Sequence, residues 1–258
     1  MTDPASNDPG FIDRPGDHRV AYHVTPGKSP GVVFLGGFMS DMTGTKAMAL
    51  EAHCRARGQA FLRFDYLGHG QSSGAFADGT IGRWADDAMA AIDQLTEGPQ
   101  ILVGSSMGGW IMLLTALARP QRVCGLIGIA AAPDFTKDIM WNMFDDGQHK
   151  TLMADGAVAI PSDYGDGEPY IISRALIEDG RENLLLKGDI VIDCPVRLLQ
   201  GMKDADVPWR TALAVADKLT GTDVEVTLVK DGDHRLSEPT DLARLGTTLD
   251  RLIEDGSS

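Results

Sequence analysis

The stretch ILVGSSMGGWIMLLTALA, residues 101–118, decides the fold, because an apolar strand pattern, a glycine-flanked serine and an apolar helix pattern follow one another without a break. Residues 104–108, GSSMG, match the pattern G-x-S-x-G. A serine on a sharp turn between strand and helix needs small residues two positions before and after it, since the two backbones approach closely. The pattern predicts Ser106 as a nucleophile and the N–H of Met107 as an oxyanion donor. We interpret Ser105 as a strand-end residue.

Outward from this stretch, short apolar runs alternate with segments of helical periodicity. Strands are predicted at 19–24, 31–35, 60–64, 101–103, 123–129, 196–199 and 224–229, and helices at 45–57, 81–95, 110–118, 209–219 and 241–253. This alternation is typical of an α/β fold with a mostly parallel central sheet and helices on both faces. With a length of 258 residues, we expect a single domain over residues 1–258.

The alternation stops between about residues 133 and 193, where no central strand is predicted and a helical run is expected over 170–178. A stretch of this length without a sheet strand indicates an inserted segment with structure of its own, interpreted here as a cap. Its methionine and aromatic side chains could form a soft acyl pocket or the packed underside of the cap, and we favour packing for any single residue. These residues are Met140, Trp141, Met143, Phe144, Met153, Tyr164 and Tyr170.

A histidine late in the chain is the expected base for the serine. Among six histidines, only His234 follows the last predicted strand and precedes the closing helix. The orienting acid is expected after the preceding strand, where Asp204 and Asp206 compete. The pattern G-x-x-D-x-x-V-P selects Asp204, and Asp206 is interpreted as a turn or helix N-cap residue. The resulting chain order is serine, aspartate, histidine.

The second oxyanion donor is expected after the first central strand, where residues 36–39 read GGFM. The backbone N–H of Phe38 is the predicted donor, and a plain glycine turn is the alternative. Asp65 and His69, in the segment DYLGHGQS, are predicted to stabilise a tight turn rather than to act on a substrate. No spacing typical of a metal site or of a nucleotide-binding loop is present in the sequence, so no metal and no cofactor are expected.

The composition is that of a folded protein with a net charge of −14. Such an acidic chain is a poor partner for nucleic acid or an anionic membrane surface. The three cysteines are widely spaced and form no disulfide or metal pattern. The polar N-terminus, residues 1–16, lacks a signal region and is expected to be a frayed tail, and no membrane span is expected. The sequence therefore predicts a cytoplasmic location.

Several motifs together resemble the α/β-hydrolase family, and within it the α/β-hydrolase-domain thioesterases of mitochondria. They lie at residues 29–31, 44–47, 63–66, 98–106, 108–110, 126–128, 194–195, 201–204, 207–209 and 233–235. The resemblance spans about residues 29–255 and implies a catalytic triad of Ser106, Asp204 and His234. It also implies removal of S-palmitoyl groups from proteins or cleavage of the acyl glucuronide of mycophenolic acid. The chain departs from these thioesterases in much of the insertion and in lacking an Arg-rich N-terminal segment.

The expected activity is that of a serine hydrolase that cleaves acyl thioesters or esters through an acyl-enzyme. The expected partner is a small-molecule or acylated-protein substrate. A general carboxylesterase acting on small oxygen esters is the first alternative, because the residues carry no mark of the leaving group. A non-catalytic binding protein with the same fold is a more distant alternative.

Overall fold

A computed structural model describes residues 8–160 and 169–255. Its centre is an eight-stranded sheet in the order β1-β2-β4-β3-β5-β6-β9-β10, in which β1, β2 and β4 pair antiparallel and all other neighbours pair parallel. The predicted mostly parallel sheet is therefore confirmed. The strands are β1 Gly10–Arg14, β2 His18–Thr25, β3 Lys28–Leu35, β4 Gln59–Phe64, β5 Gln100–Ser105, β6 Val123–Ile129, β7 Ala157–Ile160, β8 Tyr170–Ser173, β9 Val196–Gly201 and β10 Val224–Val229.

Helices cover both faces of this sheet. Along β3, Val33 and Leu35 face one apolar core while Val32 and Phe34 face another, as the two-residue period of a strand requires. Helices α2, α3 and α7 pack on the first core, and α1 and α8 pack on the second. The helices are α1 Thr45–Arg57, α2 Ile81–Leu95, α3 Met107–Ala118, α4 Trp141–Met143, α5 Asp146–Asp155, α6 Arg174–Glu182, α7 Arg210–Lys218 and α8 Pro239–Asp255.

The N-terminal segment corrects one prediction. Residues 10–14, expected to belong to a frayed tail, form β1 and pair with β2 from Gly10 opposite Tyr22 to Arg14 opposite His18. The predicted tail also includes residues 1–7, which lie outside the described residues. The strand was missed because it is a five-residue edge strand in which only Ile12, 6% exposed, is fully buried, so it carries almost no apolar pattern.

The segment predicted as an insertion, residues 133–193, holds small elements, and none of its described strands joins the central sheet. A π-helical turn over Thr136–Met140 continues into α4, and α5 follows. Strands β7 and β8 pair antiparallel with each other. The helical run predicted over 170–178 was half wrong, because its first four residues are β8. Helix α6 begins only at Arg174, where the Ser173 hydroxyl accepts a hydrogen bond from the N–H of Leu176.

The carboxyl ends of the parallel strands bring four loops to one edge of the sheet. These loops follow β3, β5, β9 and β10 and carry residues 36–44, 106, 202–209 and 230–238. Open parallel sheets bind their ligands at this edge. Across the described ranges, no helix combines the length and apolar character needed to cross a lipid bilayer.

Candidate active site

Ser106 occupies the turn between β5 and α3 in an unusual backbone conformation. Its φ is 54° and its ψ is −120°, a region that residues with a side chain rarely adopt. The N–H of Ser106 donates to the carbonyl of Ile129 at 2.9 Å, and its own carbonyl accepts from Gly109 and Ala132. These bonds hold the strained corner from both sides, as expected for strain stored at a functional position.

The glycines on either side of this corner have no room for a side chain. A Cβ atom at Gly104 would overlap the carbonyl oxygen of Gly108, and one at Gly108 would overlap the carbonyl oxygen of Leu35. The obstacles are backbone atoms, which cannot turn aside as a flexible side chain would. The sequence requirement for small residues two positions from Ser106 therefore has a direct cause in the packing of α3 against β3 and β5.

His234 and Asp204 complete a hydrogen-bonded row with Ser106. His234 Nε2 lies 3.2 Å from Ser106 Oγ, and His234 Nδ1 lies 2.9 Å from Asp204 Oδ2. The Asp204 side chain is 0% exposed and the His234 side chain 20% exposed. The three residues are separated by up to 128 positions in the chain and meet because their loops leave the same edge of the sheet.

Asp204 is held as a carboxylate by the groups around it. Burial alone would raise the pKa of Asp204, but hydrogen bonds from His234 and from the N–H groups of Val207 and Asp206 lower it below its usual value. Gln200 Nε2 donates a further bond to Oδ2 at 2.8 Å. Asp206 itself is exposed and contributes its N–H to Asp204 Oδ1 at 2.9 Å, so it is part of the turn. It is not the N-cap of α7, because that position is Trp209.

The two predicted oxyanion donors lie beside Ser106. Met107 is the first residue of α3, so its N–H belongs to the helix end that lacks intrahelical partners. Phe38 follows β3, and a Cβ atom placed on the preceding Gly37 would lie 3.4 Å from Ser106 Cβ. Both Phe38 and Met107 line the same cavity as Ser106 and His234. The geometry thus brings all five predicted site residues to one place.

This cavity has a volume of about 860 Å³ and two chemically different walls. The insertion supplies a mostly apolar wall, to which Asp138, Asn142 and Gln148 also contribute: Phe135, Ile139, Met140, Met143, Phe144, Ile160, Tyr170 and Ile172. The loop after β3, the first turn of α1 and the loop after β10 supply a polar wall: Ser40, Asp41, Thr45, Lys46, Arg235 and Ser237. Sequence reasoning noted residues 44–47 and 233–235 as motifs of the family resemblance but assigned no role to the polar side chains of this wall, because they look like ordinary surface residues. Of the insertion side chains flagged from sequence, Met140, Met143, Phe144 and Tyr170 line the cavity, and Tyr164 lies outside the described residues.

Comparisons with known proteins decide the family. The human and cattle proteins named palmitoyl-protein thioesterase ABHD10, mitochondrial, are each 44% identical to this chain over 244 residues, which is 95% of this chain and 79% of theirs. The chain belongs to the α/β-hydrolase family. A family model described as serine aminopeptidase, S33, matches residues 30–152 of this hydrolase.

Solved structures agree with this assignment. A hydrolase from Agrobacterium vitis S4 superposes with a TM-score of 0.90 at 42% identity, covering 95% of this chain and 97% of that one. Alpha/beta hydrolase domain-containing protein 10 from mouse superposes with a TM-score of 0.88 at 42% identity, covering 96% and 99%. The predicted α/β-hydrolase fold is confirmed, and with it the prediction of an enzyme that cleaves ester bonds.

The predicted cytoplasmic location of this hydrolase was wrong. The relatives that match it over 95% of its length are mitochondrial proteins, which contradicts that prediction. The prediction rested on the composition of the N-terminus. Targeting signals are recognised by receptors and are independent of the fold of the domain. The polar composition of residues 1–16 was therefore a poor basis for predicting the location.

Asp65 and His69 hold a turn beside the site, as predicted. Asp65 accepts hydrogen bonds from the N–H groups of Met42 at 2.6 Å and Gln71 at 2.8 Å. His69 is buried against the rings of Tyr66 and Trp84, and burial lowers the pKa of His69 to about 4. The imidazole is therefore neutral at physiological pH and does not line the cavity.

One group of side chains has the proximity that a metal ion would need. Within the described residues, ligand atoms of Asp204, Asp206 and His234 all lie within 4.8 Å of one another. Two of these residues are already joined by the short His234–Asp204 hydrogen bond, and Asp204 Oδ1 accepts from two backbone N–H groups. The donor set is thus satisfied by the protein itself, and the arrangement fits a hydrogen-bonded row better than a metal centre.

Proposed function

We propose that this chain is a serine hydrolase that cleaves acyl thioesters or esters through a Ser106–His234–Asp204 triad and an acyl-enzyme. The observation that carries the proposal is the hydrogen-bonded row from Ser106 Oγ through the imidazole to the buried Asp204 carboxylate, open to a large cavity. This arrangement is the one that nucleophilic acyl transfer needs, with base and nucleophile in hydrogen-bond reach and a carboxylate to orient the base.

Acylation and deacylation use the same groups in the proposed mechanism. His234 Nε2 accepts the proton of Ser106 Oγ as the oxygen attacks the acyl carbonyl, and Asp204 keeps the proton on Nδ1 and stabilises the imidazolium. The N–H groups of Phe38 and Met107 receive the negative charge that develops on the carbonyl oxygen. His234 then gives its proton to the departing group. Water, deprotonated by the same imidazole, attacks the acyl-enzyme; the bond to Ser106 Oγ breaks, the imidazolium returns its proton to this oxygen, and the acid is released.

The apolar wall indicates an acyl substrate with a hydrocarbon chain. Flexible methionine side chains such as Met140 and Met143 adapt to chains of different shape, and aromatic residues such as Phe144 and Tyr170 add contact area. Each buried CH₂ group contributes about 0.8 kcal/mol, which corresponds to about a 4-fold gain in kcat/KM if the contact is made in the transition state. The relatives named palmitoyl-protein thioesterase fit this preference for a long acyl chain.

The adjacent serines 105 and 106 supply a matched test of the nucleophile. Ser106→Ala is expected to abolish hydrolysis of p-nitrophenyl acyl esters and covalent labelling by a fluorophosphonate probe. Ser105→Ala removes the neighbouring hydroxyl and is expected to keep both, since Ser105 ends β5 and is not part of the hydrogen-bonded row. Undiminished labelling of Ser106→Ala, with the modified peptide mapped elsewhere, would refute the assignment.

The substrate class is tested by a chain-length series of acyl thioesters run against matched oxygen esters. We expect kcat/KM to rise by about 4-fold per CH₂ until the apolar wall is filled, in both series. Higher kcat/KM for thioesters at equal chain length supports a thioesterase. A series in which short oxygen esters are the best substrates and longer chains bring no gain would identify a general carboxylesterase instead.

A further inference from the structure

Lys46 makes a contact with the loop of His234 that the mechanism above does not use. The side chain leaves the first turn of α1, and its Nζ donates to the carbonyl oxygen of Arg235 at 2.5 Å. Ser237 Oγ lies 3.5 Å from the same Nζ and donates to the same carbonyl at 3.0 Å. Arg235 directly follows His234 in the chain, so Lys46 forms a hydrogen bond with the backbone of the residue next to the proposed base.

Within the described residues, the His234 loop, 230–238, lies in no helix or strand, and the backbone hydrogen bonds of Gly232 to Val229 and Lys203 hold only its start. Leu236 anchors the loop in the core, with 4% of its surface exposed and a positive φ of 44°. The N–H of Leu236 donates to Asp233 Oδ1 at 2.9 Å. These contacts hold the loop against the core, whereas the contact from Lys46 comes from helix α1, which lines the same cavity.

We propose that Lys46 is a positioning residue that, through the Arg235 carbonyl, holds His234 where its Nε2 meets Ser106 Oγ. This inference rests on the proposed triad. The distance from Nε2 to Oγ is 3.2 Å, at the long end for a hydrogen bond, so a small shift of the loop breaks it. A displacement of about 1 Å in such a constellation costs about 10²-fold in rate.

The charge of Lys46 adds a pH dependence to this contact. Burial lowers the pKa of Lys46 to about 8, while the Asp233 and Asp241 carboxylates oppose the shift and the Arg235 guanidinium adds to it. Asp41 lines the same cavity. Below pH 8 the ammonium donates a charge-assisted hydrogen bond, and above pH 8 the neutral amine donates a weaker one. The charge-assisted hydrogen bond from Lys46 to the Arg235 carbonyl is therefore present below pH 8 and weakens as the pH rises through this value.

The test compares Lys46→Met and Lys46→Arg with the wild type and with Lys28→Met, which removes an exposed lysine at the start of β3, on the far edge of the sheet. We expect kcat of Lys46→Met to fall by about 10- to 100-fold at pH 7 with a smaller change in KM. The wild-type kcat profile should fall above pH 8. Lys46→Arg should restore kcat at pH 7 and lose this alkaline decline, because a guanidinium stays charged. Lys28→Met should match the wild type throughout.

Two outcomes overturn the proposal: wild-type kcat in Lys46→Met, or an unchanged alkaline decline in Lys46→Arg. If Lys46→Met does not fold, as judged by circular dichroism, the profile of Lys46→Arg alone decides. Failure of the triad itself has a different signature, because the wild type would then resist fluorophosphonate labelling at Ser106. If the wild type is active and kcat is unchanged in Lys46→Met, the proposed function stands and only the positioning role of Lys46 is refuted.

Discussion

Replacing Asp204 by asparagine tests the proposed triad at its most buried member. Oδ2 of Asp204 faces His234 Nδ1 and Gln200 Nε2, and Oδ1 faces the N–H groups of Asp206 and Val207. Each of these four groups donates a hydrogen bond to the carboxylate. An asparagine must turn its NH₂ toward one of these two sets, so no orientation keeps all four bonds.

The two orientations have different costs. With the NH₂ toward Asp206 and Val207, two backbone N–H groups lose their partners, each at about 1–3 kcal/mol. With the NH₂ toward His234, Gln200 Nε2 loses this partner but keeps the carbonyl oxygens of Gly201 and Val207, each at 3.3 Å. The imidazole must then accept at Nδ1 and carry its proton on Nε2. It then cannot accept the proton of Ser106. We expect the second orientation and a fall in kcat of about 10⁴-fold, or about 5.5 kcal/mol of transition-state stabilisation.

Asp206→Asn is the matched control, because it makes the same chemical change two residues away on an exposed side chain whose backbone N–H is retained. The assay is kcat for a p-nitrophenyl acyl ester at pH 7, with thermal unfolding measured in parallel. We expect Asp206→Asn to stay within a few-fold of the wild type, as surface changes usually do. The reasoning is refuted if Asp204→Asn is folded and keeps more than a tenth of the wild-type kcat, or if the two variants lose activity equally.

Two further predictions concern the folded framework. Gly108→Ala should lower the free energy of unfolding, measured by denaturant titration, by about 3 kcal/mol or more, because its Cβ would overlap the Leu35 carbonyl. The control Gly188→Ala should show no such loss, because no heavy atom lies within 4 Å of the added Cβ. The pKa of His69 is lowered from 6.5 to about 4 by burial, so the unfolded chain binds the extra proton between these values. Its stabilising effect is present above pH 6.5 and is lost toward pH 4. We expect the free energy of unfolding of the wild type to fall by about 3 kcal/mol over this pH range because of His69. An equally steep fall in His69→Gln would contradict this assignment.

The inner strands β3, β4, β5, β6 and β9 were predictable because they are buried along most of their length, and the edge strand β10 was predictable because its apolar and polar residues alternate. Residues 123–129 and 224–229 were predicted with the bounds they have, and helices 45–57 and 81–95 likewise. Continuous apolar runs and 3.6-residue periodicity leave few alternatives in such segments. Ser106 followed from the G-x-S-x-G motif, Asp204 from the G-x-x-D-x-x-V-P motif after the strand at 196–199, and His234 from its loop after the last predicted strand.

The insertion was less predictable, because its elements are short and only partly buried. Tyr170–Ser173 is a four-residue apolar run that suits either a strand or the start of a helix, and only its pairing with Ala157–Ile160 decides between them. Whether Met143 lines the cavity or packs inside the insertion depends on that same arrangement. The role of Lys46 was beyond sequence reasoning for another reason: its partner carbonyl lies 189 residues away, and a backbone carbonyl carries no residue identity.

Phe38 shows how the insertion and the site depend on each other. Its backbone belongs to the loop proposed to hold the oxyanion, and its ring contacts Phe76 and Trp84 on one side and Phe135 and Tyr170 of the insertion on the other, all edge to face. A shift of the insertion therefore reaches the oxyanion loop through one side chain. An acyl chain that packs against Tyr170 would press on the same contact. In this arrangement we expect the length of the bound chain to affect kcat as well as KM, because the wall proposed to bind the chain also supports the loop proposed to stabilise the transition state.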